Sequence, residues 1–290
     1  MGKKSVIMLL VFIVLVFLGV YISNEARRWD ILWKLSNLFK EKPVPQHGGL
    51  KDIFNSPVPV REGVDPVIDP LFVAARSGIE SEVAAALQQS SPNKQDKTGQ
   101  TPLMYAARGN KLGAAKLLVD NGANLDIQDM KGYSALMYSA ESAADEISGY
   151  LLTRGANPDI RALSGDTALS IAASGGRIAQ LNDLLSRNVN VNTRNSSGMT
   201  PLMFAAMNGN TNAANTLIRR GAQINAADNN GFTPLFFAAE YGNASVIRLL
   251  LDAGADIAVR DNRGLTAVSY ARRNNHTGVI DLLSANGIPE

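Results

Sequence analysis

The sequence predicts an all-α solenoid of helix-turn-helix repeats with β-hairpin-like finger loops, preceded by a single N-terminal transmembrane helix. Three observations predict it. Gly99, Gly132, Gly165, Gly198, Gly231 and Gly264 are spaced 33 apart. Paired alanines and paired leucines stand at fixed offsets from those glycines, as helices with a shared apolar face require. An unbroken apolar run fills Val6 to Ile22. A chain of 290 residues would otherwise suggest about two domains.

The apolar run comes first in the chain. Lys3 and Lys4 precede it, and Val6, Leu10, Ile13, Phe17 and Tyr21 lie within it. Its length falls in the ~17–25 residues that span a bilayer as a helix. A cleaved signal peptide has a shorter apolar stretch and small residues at the cut; here the run ends Val20-Tyr21-Ile22-Ser23-Asn24. Residues 1–24 therefore read as an uncleaved signal-anchor, with a cleaved signal and a soluble core helix as the alternatives. Arg27 and Arg28 nearly balance the charges ahead of the run. The few residues before it favour a cytoplasmic N-terminus and an exported remainder. Residues 25–39 place Trp29, Leu32, Trp33 and Phe39 on one helical stripe. Because tryptophan favours the bilayer interface, this reads as an amphipathic helix on the membrane. Continuation of the spanning helix, or packing on another protein, is the alternative. Residues 40–66 hold Pro43, Pro45, Pro57, Pro59 and Pro66 and form a linker, since proline fixes φ and removes a donor.

From 67 to 290 the repeat takes over. Two residues after each spaced glycine stands Thr101, Ser134, Thr167, Thr200, Thr233 or Thr266, and Thr-Pro-Leu is intact at 101–103, 200–202 and 233–235. Gly-Ala-Asn or a relative recurs at 122–124, 155–157, 221–223 and 254–256. With these motifs in phase, the chain resembles the ankyrin repeat family. Residues 70–78 read as a divergent first repeat and the unit from Gly264 as a polar last one, giving seven repeats.

Each residue has a physical place in the unit. The hydroxyl caps a first helix and proline suits its first position. Ala106-Ala107, Ala172-Ala173, Ala205-Ala206 and Ala238-Ala239 let repeats approach closely. Gly176, Gly209 and Gly242 turn the chain between helices, where a positive φ is expected. Leu117-Leu118, Leu151-Leu152, Leu184-Leu185 and Leu249-Leu250 enter a core that exists only on stacking. Two departures stand out. The family carries His after Thr-Pro-Leu, whereas this chain has Met104, Met137, Ser170, Met203, Phe236 and Ser269, which exchanges a hydrogen-bonding group for apolar packing. Ala143 replaces the interhelical glycine, so a left-handed turn there would be strained and the repeat locally irregular.

Composition narrows the function. There is no cysteine, only His47 and His276, and a net charge of +2. Thiolate metal sites, cysteine nucleophiles and disulfides are excluded. The near-neutral charge argues against nucleic acid as the partner, and no cofactor or metal is implied. Residues 1–65 hold nine Lys/Arg against six Asp/Glu, so the slight basicity belongs to the membrane end. Asp145 and Glu146 are adjacent and point apart on a helix, which makes them a poor catalytic pair; no enzyme is expected. The resemblance implies protein binding through finger tips and the concave face. Mapped residue by residue, it puts Tyr133, Met199, Phe232 and Leu265 just after finger glycines, and Arg108, Met207 and Glu240 after the paired small residues, joined by Tyr241. Large apolar side chains expected in solvent are candidate hot spots; packing of Phe232 and Met199 against neighbouring fingers is the competing reading. The expectation is a tethered adaptor, scaffold or inhibitor of an envelope protein, single-pass in a bacterial inner membrane with periplasmic repeats. A cytosol-facing scaffold is the alternative, and a membrane-bound hydrolase a remote one.

Overall fold

The computed structural model describes residues 69–287. The chain divides into Met1–Val64 and Asp65–Glu290, and every described residue belongs to the second unit. The expected signal-anchor, amphipathic helix and linker lie outside the described residues. No helix among those described is long and apolar enough to cross a membrane.

Fourteen helices in seven pairs make up the described unit. They are α1 (Pro70–Ser77) and α2 (Glu80–Leu87), α3 (Pro102–Arg108) and α4 (Leu112–Asp120), α5 (Ala135–Glu141) and α6 (Asp145–Thr153), and α7 (Ala168–Ser174) and α8 (Ile178–Leu185). Then come α9 (Pro201–Met207) and α10 (Thr211–Arg219), α11 (Pro234–Glu240) and α12 (Ala244–Asp252), and α13 (Ala267–Arg273) and α14 (Thr277–Ala285). Odd-numbered helices pack on one another in sequence, and even-numbered helices do the same, so the chain builds two layers. At seven to nine residues these helices are too short to persist alone. Their stability comes from burying one face against the partner helix and the next pair.

Local chemistry starts each first helix. Thr101 Oγ1 accepts from the Met104 N–H at 3.4 Å, and Ser134, Thr167 and Thr200 cap in the same way. The methionines partly retain the polar role expected to be lost with His: the sulfurs of Met104 and Met203 accept from the N–H of Thr101 and Thr200 at 3.4 and 3.3 Å. In α11, Phe236 has no acceptor to offer, and Thr233 Oγ1 is buried without a partner. The alanine pairs are buried between layers. Of the leucine pairs, Leu118, Leu151, Leu184 and Leu250 are fully buried, while Leu117 and Leu249 pack half-buried at the edge.

The turn between paired helices is left-handed in six successive pairs. It falls on Asn110, Ala143, Gly176, Gly209, Gly242 and Asn275, with φ between 50° and 75°. Ala143 thus keeps the common turn at φ 56°, and the expected irregularity is absent. The neighbouring pairs dictate the backbone there, and the alanine carries the strain. Just past that turn, Asn210 Nδ2 donates back to the carbonyls of Ala173 and Ser174, and Asn243 does the same to Ala206 and Met207. His276 Nε2 meets the Glu240 carbonyl at 3.0 Å, a structural bond between repeats. Arg177 occupies that place at the junction of the α5/α6 and α7/α8 pairs. There Gln180, buried where other repeats have an apolar residue, donates instead to the Ser139 carbonyl at 2.9 Å.

Candidate functional site

Successive pairs are joined by fingers, and the fingers and the exposed edge of the first-helix layer form the candidate interface. No strand is assigned among the described residues, so the expected hairpin is in fact a hydrogen-bonded turn. In the first finger, Asp96 N–H donates to Gln100 O and Gly99 N–H to Asp96 O, each at 2.9 Å. Adjacent fingers are stitched at their tips: Met130 N–H donates to Thr98 O, Leu163 to Lys131, Ser196 to Ser164, Asn229 to Ser197 and Asn262 to Asn230. A Cβ on Gly132 would sit 2.7 Å from the Leu163 nitrogen of the next finger. Glycine there is needed both for φ 77° and for this approach. Side chains add a second row of stitches, as Gln128 Nε2 bridges Gly132 O and Arg161 O.

A carboxylate organises most fingers. Asp129 Oδ1 accepts from the N–H groups of Lys131 and Tyr133, and Oδ2 accepts from the Tyr138 hydroxyl at 2.6 Å. Asp96 with Tyr105 and Asp261 with Tyr270 repeat this clasp nine residues apart. Burial and the neighbouring carboxylate push the Tyr270 hydroxyl up to about 12, and Tyr138 is raised for the same reasons. For Asp261, burial works to raise the carboxyl. The Tyr270 hydroxyl, two backbone N–H groups and the Arg263 charge outweigh it and hold the carboxyl below its usual value. Two fingers lack a tyrosine partner: Asp228 precedes Phe237, and Asn195 precedes Phe204. The third has neither member, with Ala162 and Ile171.

The proposed binding residues separate into distinct environments. Arg108 is exposed, Tyr133, Met199, Met207 and Glu240 are half-buried, and Tyr241 and Leu265 are exposed at 55% and 39%. Phe232 corrects the expectation: it is 8% exposed, stacked on Phe236 at 5.3 Å between centroids and edge-on to Tyr270 at 4.9 Å. At Phe232 the position after the finger glycine points into the seam with the next repeat and the ring is core, whereas Tyr133 and Met199 at equivalent positions are only partly covered. Leu265, which no further finger follows among the described residues, is the exposed one. Burial raises Glu240, opposed by Arg273 and Arg263, and Tyr241 is raised by burial and by Glu240. These four residues therefore form one neighbourhood. A second holds Tyr133, raised by burial and by Glu141, Asp166 and Asp129.

Sequence reasoning missed the most exposed large apolar side chains among the described residues, Leu163 at 77% and Met130 at 69%. They occupy the tip column Lys97, Met130, Leu163, Ser196, Asn229 and Asn262. Two apolar residues in an otherwise polar column were the available signal. No group of three or more His, Asp or Glu placed to hold a metal occurs among the described residues.

This architecture defines a stacked helix-pair repeat protein with an edge of fingers. The sequence model for ankyrin repeats (3 copies) matches at 71–162, 150–228, 169–261 and 225–289, and the chain belongs to the ankyrin repeat family. It is similar to the ankyrin repeat domain of human ASB11, whose crystal structure has a TM-score of 0.70 and 26% identity, covering 76% of this chain and 99% of that one. A search of curated proteins found no match. Ankyrin repeats are generally protein-interaction modules, and the fold is typically a non-enzymatic scaffold.

Proposed function

We propose that this protein is a membrane-tethered binding module that holds or inhibits a protein partner in a bacterial envelope. The repeats lie on the periplasmic side, and the chain performs no chemistry of its own. The apolar run Val6–Ile22 with Lys3 and Lys4 supports the tether. One observation carries the binding role. Tyr241 stands exposed beside the half-buried Glu240, which feels the charges of the exposed Arg263 and Arg273; Leu265 is exposed two residues after Arg263, and Met199 and Met207 are half-buried along the same run of repeats. Aromatic and aliphatic anchors ringed by arginine and carboxylate are the composition of an interface hot spot. Phe232 has no part in it.

Affinity capture from membranes tests this reading. Tyr241→Ala combined with Leu265→Ala is expected to remove one partner from the captured set while leaving helicity unchanged. An unchanged set would overturn the assignment. A reporter fused after Glu290 is expected to be active only as a periplasmic enzyme; cytoplasmic activity would place the repeats inside the cell.

A further inference from the structure

We propose that the solenoid is hinged at the junction between its third and fourth helix pairs, α5/α6 and α7/α8. The pairs before and after that junction move as two blocks, which pivot on the third finger. The residues that make the hinge differ from those assigned to the protein partner, so either reading can fail alone.

A stacked array is held by each pair and by its junctions with the neighbours, so one poor junction divides it. Two recurring devices close junctions here beyond apolar packing. One is the side chain just after the left-handed turn, which bonds to carbonyls of the preceding pair. Asn210, Asn243 and His276 close the last three junctions in this way. The other is a ladder along the loops after the second helices, with 31 residues per step. Asn93 accepts from the Asn124 N–H, Asp126 from Asn157, Asn192 from Gln223 and Asn225 from Asp256. The ladder closes the first two junctions and reinforces the fourth and fifth.

Among the described residues, the third junction alone has neither device. The ladder step from Asp159 to Asn190 makes no bond; the Asn190 side chain accepts only from the Asn192 N–H of its own loop. Arg177 stands in the place of Asn210 and Asn243, and its Nε is buried without a partner. The junction also gathers unmet polar groups. Four side chains among the described residues carry a buried polar atom with no partner, and Ser148, Arg177 and Gln180, three of the four, belong to the two pairs that meet here. Gln180 stands where Ala114, Ile147, Ala213, Val246 and Val279 are buried, and its bond to the Ser139 carbonyl leaves Oε1 unpaired.

A buried polar atom without a partner penalises the closed state, and water admitted by opening removes the penalty. Opening therefore relieves at the third junction what it would break at the others. The finger edge stays fastened. Leu163 N–H donates to Lys131 O at 2.9 Å, and Gln128 Nε2 to Arg161 O at 2.8 Å. The third finger also has Ala162 and Ile171 in place of the clasp that ties other fingers to their first helix. It can stay with the second finger while α7 and α8 swing, as a hinge at an element's end requires. Tyr133 lies on one block and Tyr241 on the other, so the hinge sets their separation.

The chain has no cysteine, so spin labels can be placed in pairs at will. Full-length protein in phosphatidylcholine vesicles would carry Glu146→Cys with Asn212→Cys, or Ala179→Cys with Ser245→Cys. These four exposed positions are equivalent sites on α6, α10, α8 and α12, and each label pair spans two junctions. Only the first label pair spans the third junction. Pulsed dipolar spectroscopy is expected to give a broad distance distribution for 146–212, with a long component absent from 179–245. Combining Arg177→Asn and Gln180→Val supplies the missing bond to the preceding pair and the usual apolar side chain, and is expected to remove that component. Matching distributions in the parent, or a 146–212 distribution unmoved in a repaired variant of unchanged helicity, would overturn the proposal. A repaired variant that loses helicity by circular dichroism would overturn it too, because Arg177 and Gln180 would then be holding the junction closed.

Discussion

The second and fifth fingers share one backbone and send their large apolar side chains in opposite directions. In the second, Met130 projects from the tip, and the turn is held from within by Asp129 and Tyr138. In the fifth, the tip residues Asn229 and Asn230 are polar and exposed, and Phe232 is buried among Phe236, Phe237 and Tyr270. The difference teaches that place in the 33-residue period decides the fate of an apolar side chain. The tip column looks outward and is open to function. The column after the glycine leans toward the seam, where Phe232 is buried and Tyr133 and Met199 are half-covered.

The comparison can be broken most forcefully at Phe232. Phe232→Ala is expected to cost about 3–5 kcal/mol, a fall in thermal midpoint of roughly ten degrees or more, because it empties a closed aromatic cluster. Met130→Ser is expected to stay within about 0.5 kcal/mol. Equal effects in thermal unfolding would dissolve the distinction.

A smaller effect separates the clasped fingers from the aromatic one. Tyr270→Phe removes a hydroxyl from a buried carboxylate and is expected to cost about 1.5 kcal/mol at neutral pH. Since Asp261 is depressed in the folded state, its stabilisation is present above the unfolded value near pH 4 and lost as pH falls through the folded value. The gap between parent and variant should therefore narrow in acid, as denaturant titrations at neutral and acid pH would read. The mildest test concerns a residue at odds with its place. Ala143→Gly is expected to stabilise by about 1 kcal/mol, since glycine adopts φ 56° without the Cβ penalty. A loss of stability would show that the alanine methyl packs usefully.

Much of this was legible in the sequence. The spaced glycines, the Thr-Pro-Leu caps and the alanine and leucine pairs place six of the seven helix pairs, and the divergent run 70–78 places the first, because each residue acts within its own repeat. Ala143 was legible as a site of strain, but the retention of its turn was not, since adjoining repeats impose it. The candidate site was less legible. Period identifies equivalent positions without saying which way they face, and that direction depends on a neighbour 33 residues on. Phe232 therefore looked like a surface side chain, whereas Leu265, chemically similar, is exposed, with no further finger packed on it among the described residues. Met130 and Leu163 were visible as apolar exceptions in a polar column, yet only the stitched fingers show that they project together.

Thiol accessibility tests the central claim most directly. Because the chain has no cysteine, Met130→Cys and Phe232→Cys can each be labelled as the sole thiol under native conditions. The account predicts that position 130 reacts as freely as an unfolded peptide, and that position 232 reacts slower by orders of magnitude, at the pace of opening of its seam. Equal rates at the two positions would contradict it.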